Sequence, residues 1–262
     1  MTRFGWWLRD TWEMVKRNLL HIRRTPELLL DVTLSPIMFV LLFSFVFGGA
    51  INVGAEGGDE ASYINFLMAG IFIQTVAFAG IYTGVLLAND LQRGMIDRFR
   101  SLPIAQSSVL TGRTLTDLLR AGLAVAIMWV VGLLVGFRPE GGITGNLAAV
   151  GLMLLFGFAL SWVGVAAGAL VRTPEALQGI MFAVVFPLTF VSSAFVPTAS
   201  MPDWLRVFAD NQPMTQVINA VRDLTLGTNL YDAELPSVIW SVGMLAVAFP
   251  LGIWLYNRRT TQ

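Results

Sequence analysis

The sequence predicts an all-α polytopic membrane protein with six transmembrane helices. An amphipathic interfacial helix should precede the first span, and a re-entrant helical hairpin should precede the last. Three observations predict this. Of the 262 residues, 55% are hydrophobic and only 13% charged, where soluble domains carry about 25% charged residues; mean hydropathy is +0.68. Six stretches are apolar over roughly the 20 residues that a span requires. Finally, Lys and Arg concentrate in alternate connecting segments. Residues 1–262 read as a single transmembrane domain.

The first element is residues 1–25. Phe4, Leu8, Trp12, Val15, Leu19 and Ile22 recur in steps of four and three, and Arg9, Asp10, Glu13, Lys16 and Arg17 lie off that stripe. A helix with aromatics on one face and cations on the other lies in a membrane interface. The same period also suits a soluble helix packed on a partner. The segment is too polar for the apolar core of a cleavable signal peptide, and the run that follows is long enough to span. His21, the single histidine, reads as an interface residue. Thr25-Pro26-Glu27 is a fresh helix start, with Thr25 as N-cap, Pro26 in the first helical position and Glu27 in the first turn.

The six apolar stretches are residues 30–50, 64–88, 116–137, 147–171, 176–197 and 237–256. Asp117 and Arg120 stand at the entrance of the third, whose charge-free part begins near Ala121. In the fourth, Gly151, Gly157, Gly164 and Gly168 form small-residue spacings that allow close helix packing. Orientation follows from the cations. Counting Arg120 at the entrance of the third stretch, fourteen of the 17 Lys and Arg lie before the first stretch, between the second and third, between the fourth and fifth, or after the sixth. Only Arg138, Arg206 and Arg222 lie in the alternate segments. The positive-inside rule then places both termini in the cytoplasm, with the chain in the cytoplasmic membrane.

Between the fifth and sixth stretches, residues 197–236 contain Pro197, Pro202, Pro213 and Pro236, yet are rich in apolar residues. Asp203–Phe208 and Met214–Leu226 read as two short helices, neither long enough to cross. A re-entrant hairpin is the simplest reading, because irregular backbone at membrane depth must be covered by protein. An ordinary external loop with two surface helices is the alternative.

Several chemistries are missing. No Gly-x-x-x-x-Gly-Lys-Ser/Thr loop exists, and the only lysine, Lys16, follows no glycine-rich loop, so the chain has no ATPase site of its own. One histidine and no cysteine exclude disulfides, thiolate sites and His-based metal centres. Asp31, Asp117, Arg120, Arg172 and Glu175 all fall at or near the cytoplasmic ends of the stretches, which argues against a proton relay within the membrane. The two halves also show no evident inverted repeat.

What remains is Asn89–Pro103, a charged segment between two long apolar runs. Leu91, Met95, Ile96, Phe99 and Leu102 recur at helical spacing, while Asp90, Arg93, Asp97, Arg98 and Arg100 take the other side. A membrane protein with such a helix in a cytoplasmic loop is presenting a docking element to a soluble partner. A solvated amphipathic loop resting on headgroups is the alternative.

Taken together, the residues resemble the membrane permease subunit of a type-2 ABC exporter, in particular the daunorubicin/doxorubicin-resistance permeases of actinobacteria. The matching pieces are Arg23-Arg24-Thr25-Pro26-Glu27, Gly94–Pro103, Phe195-Val196-Pro197 through Leu205, and Asn211-Gln212-Pro213-Met214-Thr215. The resemblance implies a coupling helix at 89–103 and a re-entrant pair at 197–236. It also implies two such subunits, copies or paralogues, assembled with separate ATP-binding subunits that hold ATP and magnesium, with no cofactor on this chain. On that reading Asp90, Arg93, Ile96, Asp97, Arg98, Phe99 and Arg100 contact the ATP-binding subunit, with Ile96 and Phe99 as apolar anchors. Glu13, Lys16 and Arg17 add a second contact. Phe39, Phe43, Phe72, Phe78, Phe182 and Phe186 are candidates for lining a path for a hydrophobic drug or lipid, although aromatics in spans also serve packing. The partners are membrane lipid, a cargo and the ATP-binding subunit, with no nucleic acid. Export of a lipid-linked glycan or envelope lipid, an independent secondary transporter and a membrane scaffold are the competing readings.

Overall fold

A computed structural model of the protein describes residues 27–47, 60–93, 106–171 and 173–261, together with the single residue Lys16. The described residues form helices and turns, with no strand among them. In chain order the helices are α1 (Glu27–Leu42, continued by a π-helical segment Phe43–Phe47), α2 (Glu60–Gln92), α3 (Gln106–Val135), α4 (Gly142–Leu170), α5 (Pro174–Phe190), α6 (Asp203–Asn211), α7 (Pro213–Leu226) and α8 (Glu234–Thr261). A single 3-10 turn, Thr198–Ser200, precedes α6.

Four of these helices are long and apolar enough to cross a membrane: Tyr63–Gln92 in α2, Thr114–Val135 in α3, Gly142–Leu170 in α4 and Glu234–Arg259 in α8. The other two expected spans correspond to shorter apolar helices, Leu34–Val46 and Pro174–Phe190. The interfacial helix expected over 1–25 lies outside the described residues apart from Lys16, which is helical and exposed.

The helix boundaries differ from those that apolarity suggested. Both α2 and α3 run past their apolar cores, α2 to Gln92 and α3 from Gln106. A helix needs backbone hydrogen bonds rather than hydrophobicity to continue, so a hydropathy limit underestimates its length. The fifth expected stretch reached residue 197, but α5 stops at Phe190 and a turn follows. There Ser192 donates its hydroxyl to the Thr189 carbonyl at 2.5 Å and accepts from the Ala194 amide at 3.2 Å. Short hydroxyl side chains that bond locally in this way offer the backbone an alternative to further helix.

The bundle is organised around α2, which packs against α1, α3, α4, α5 and α7. Its apolar span is 83% buried, compared with 22% for that of α8, which leans on α4 and α7 from outside. On the α3 side the Phe72 ring stacks 5.1 Å from Trp129 and meets the edge of Phe137 at 5.9 Å. On the α4 side the seam is glycine against glycine. A Cβ on Gly164 would lie 2.8 Å from the Gly80 carbonyl oxygen, and one on Gly168 would lie 2.5 Å from that of Gly84. Gly157 meets Val76 of the same helix. Gly151 has open space around it and takes no part in the seam, a correction to the four-glycine spacing expected from the sequence. Only residues without a side chain let two backbones approach this closely, and dispersion at that separation is what holds apolar helices together in lipid.

Candidate functional site

At the Tyr63 end of the bundle, α7 is almost wholly enclosed, whereas α6 exposes Trp204, Val207 and Phe208. Gln212 sits between the two helices, and Pro213 starts α7 where its missing amide is no loss. The Gln212 carboxamide donates to the carbonyls of Leu188, at 3.1 Å, and Val191. Buried Arg222 of α7 makes four side-chain hydrogen bonds to the residues around it. It donates to the Phe66 carbonyl from Nε (3.3 Å) and Nη2 (3.1 Å), to the Ser193 carbonyl from Nη2 (2.8 Å), and to Asn219 Oδ1 from Nη1 (2.8 Å). Its guanidinium also lies 3.7 Å from the centroid of the Phe66 ring. A buried cation is tolerable only when its donors are met, and here carbonyls from two other segments meet them.

Neighbouring Asp223 points the other way. It accepts from the Thr228 hydroxyl (2.7 Å) and the amides of Leu230 (3.1 Å) and Tyr231 (3.0 Å), tying down the approach to α8. Tyr63 of α2 donates to the Phe195 carbonyl at 3.2 Å. The turn after α5 is thereby fastened to α2 and α7 at three points. Arg222 was not singled out in the sequence because a lone Arg among apolar residues looks like an ordinary loop cation; its neighbours become visible only in three dimensions.

Below that fastening runs a ladder of phenylalanines. Phe39 lies 6.1 Å from Phe43, which lies 4.5 Å from Phe195. Phe195 lies 4.9 Å from Phe190, Phe190 4.5 Å from Phe186, Phe186 4.9 Å from Phe182, and Phe182 6.5 Å from Phe78 of α2. Seven rings from α1, α5, α2 and the turn after α5 make one continuous aromatic surface. Phe182 is 55% exposed and Phe190 38%. Five of the six expected path residues belong to this ladder. The sixth, Phe72, does not; it is fully buried in the α2–α3 packing. Phe190 and Phe195 join the ladder although the sequence did not single them out; Phe182, Phe186 and Phe190 recur every four residues and so share one face of α5.

At the other end, α2 carries Asp90, half-buried, and reaches an exposed Arg93 in the turn that ends it. Asn89 and Asp90, expected to open a separate coupling helix, are therefore the last turn of α2 itself. Ile96, Asp97, Arg98, Phe99 and Arg100 lie outside the described residues, as do Glu13 and Arg17. Asp117 and Arg120 are placed inside α3 and not in water: they pair at 3.5 Å, both buried, with Arg120 5.1 Å from the centroid of the Tyr82 ring. The pair is neutral overall, which is how two charges persist in an apolar surrounding.

The central helix, the buried cation clamp and the aromatic face thus lie among helices of which four are long and apolar enough to cross a membrane. Residues 9–226 match the ABC-2 type transporter family, and the chain belongs to that family. It is 36% identical over 94% of its length to the daunorubicin resistance ABC transporter permease protein DrrB1 of Streptomyces coeruleorubidus, covering 85% of that protein. It is 25% identical over 91% of its length to the doxorubicin resistance ABC transporter permease protein DrrB of Mycobacterium tuberculosis, covering 86% of it. Over 87% of its length it is 24% identical to the probable doxorubicin resistance ABC transporter permease protein DrrC of the same organism, covering 80%. These relatives are permeases, so the chain is a multi-pass membrane permease with drug-resistance relatives.

Proposed function

We propose that the chain is the membrane subunit of an ATP-driven exporter that carries a hydrophobic aromatic drug, or a lipid-like molecule of similar character, outward across the cytoplasmic membrane. A separate ATP-binding subunit supplies the energy. One observation carries the reading: α2 is a single unbroken helix of 33 residues. It joins the aromatic ladder to the charged segment that follows Gln92, and its length of roughly 50 Å transmits a push at one end to the other.

On this reading α1 to α5 and α8 are six spans, and α6 with α7 forms a hairpin entering the outer leaflet. The enclosure of α7 by α2, α4 and α8 supports that placement. The cation asymmetry supports cytoplasmic termini. The segment from Asp90 to Leu102 docks into a cleft on the ATP-binding subunit, with Phe99 and Ile96 as anchors and Arg93, Asp97, Arg98 and Arg100 setting register. Glu13, Lys16 and Arg17 add a contact from the interfacial helix. Closure of two ATP-binding subunits draws two such segments together and parts the α1, α2 and α5 faces of two permeases.

The test is affinity purification of the tagged chain in mild detergent from cells co-expressing its ATP-binding partner. The expected result is a stoichiometric ATP-binding subunit with vanadate-sensitive ATPase activity, lost in Phe99→Ala and Arg98→Glu variants that still insert in the membrane. A stable particle without that subunit, or unchanged drug export by Arg98→Glu, would return the chain to the carrier or scaffold readings.

A further inference from the structure

Gln74 occupies the middle of α2. Its side chain is 2% exposed, and neither its Nε2 nor its Oε1 has a hydrogen-bond partner. Along α2 it is one helical repeat from Gly70 on one side and from Phe78 on the other, so all three share a face. Gly70 meets the backbone of Ala194 after α5, and Phe78 meets Phe182 within α5. The amide is therefore bracketed by two contacts to the α5 segment, between α2 and the helix that bears the ladder.

A second orphan polar atom lies on the same assembly. Ser44 Oγ, 4% exposed, has no hydrogen-bond partner, and Ser44 follows the ladder residue Phe43 in the π-helical segment after α1. Single π-turns recur at functional sites. Elsewhere along α2, buried polar side chains are satisfied within the bundle: Thr75 donates to the Ile71 carbonyl and Thr83 to Ser161. An amide in an apolar membrane interior gains nothing for packing and loses its hydrogen bonds, so a buried unpaired one calls for an explanation. Leucine would fill the same space without that loss.

We propose that the Gln74 carboxamide is the hydrogen-bonding subsite of the aromatic path, a specificity-determining contact for a planar aromatic cargo whose edge carries carbonyl or hydroxyl groups. This rests on the transport reading above. Stacking on phenylalanine faces is tolerant of ring chemistry, whereas an amide holding both a donor and an acceptor discriminates by edge. Separation of α5 from α2 uncovers the amide between Phe78 and Phe182, and the cargo then supplies the partner that the folded chain withholds.

Inverted vesicles holding the permease with its ATP-binding subunit test this, with daunorubicin, an anthraquinone bearing edge carbonyls and hydroxyls, as the probe. Gln74→Leu should raise the daunorubicin concentration for half-maximal ATP-dependent uptake about tenfold. The amount of assembled complex and its melting temperature should stay at or above those of the unaltered complex. Gln74→Asn, which keeps the amide one methylene shorter, should restore part of the affinity. Undiminished daunorubicin affinity in Gln74→Leu, or a loss matched by less complex or a lower melting temperature, would overturn the proposal. No uptake at all by the unaltered complex with an active ATPase would instead overturn the transport reading.

Discussion

The two faces of α2 are packed differently over most of their length. Toward α4 the helix presents Gly80 and Gly84 to Gly157, Gly164 and Gly168, and the backbones touch. Toward α5 it presents Gln74 and Phe78, and α5 answers with large rings that remain partly exposed. The first seam is mostly backbone against backbone, with Val76 against Gly157 and Thr83 bonded to Ser161, so separation loses contact over its whole length. The second has one close backbone contact, Gly70 against Ala194, and beyond it relies on rotatable rings and leaves an amide unsatisfied. On the proposed transport reading, the boundary of α2 with α5 is the one that opens while α2 moves with α4.

Breaking the close-packed seam should have the largest effect. Gly84→Leu forces a side chain into the α4 backbone, where overpacking costs about 3 kcal/mol because nothing flexible can yield. The expected outcome is a sharp fall in melting temperature and in yield of folded protein, read by detergent thermal-shift. Next comes the clamp that closes the α5 side at the Tyr63 end. Arg222→Met leaves the carbonyls of Phe66 and Ser193 without their donor, a loss of about 2 kcal/mol. It should also raise protease sensitivity in the turn after α5, which limited proteolysis would detect.

The loosely sealed face should respond in function more than in stability. Phe186→Ala or Phe190→Ala removes one partly exposed ring, costing about 1 kcal/mol at most, yet breaks the continuous aromatic surface. Daunorubicin uptake should need a severalfold higher drug concentration for half-saturation while the melting temperature moves little. Equal losses in both quantities would mean that the ladder is packing alone. The smallest effect is expected at Gly151, which lies in α4 outside the seam. Gly151→Ala should be neutral or stabilising by up to about 1 kcal/mol, from helix propensity. Destabilisation there would extend the close-packed boundary beyond Gly157.

Much of this was legible in the chain. Apolar run lengths located the helices now seen as α1 to α5 and α8, and Pro202 and Pro213 marked the starts of α6 and α7, because both signals are local. Phe39, Phe43, Phe78, Phe182 and Phe186 were recognisable as candidates by type and position. That Phe72 turns toward Trp129 while the other five join one ladder was not legible, since residues on a helix buried all round carry no polar face to reveal their direction. Arg222 and Gln74 were missed for a related reason. A polar residue in an apolar run shows its cost in the sequence, but which carbonyls meet it, or fail to, depends on segments far away: Arg222 bonds to Phe66, and Gln74 bonds to nothing.

Composition and the order of apolar and charged segments alone determined that this is a helical membrane protein with cations gathered in alternate connections. The bilayer imposes that pattern locally, by requiring each spanning segment to satisfy its own backbone. Which face of α2 meets bare backbone and which meets aromatic rings is fixed by the tertiary structure, because that depends on the registry of helices against one another. Registry is set by the sizes and hydrogen bonds of side chains that meet from distant parts of the chain, and no single segment contains it.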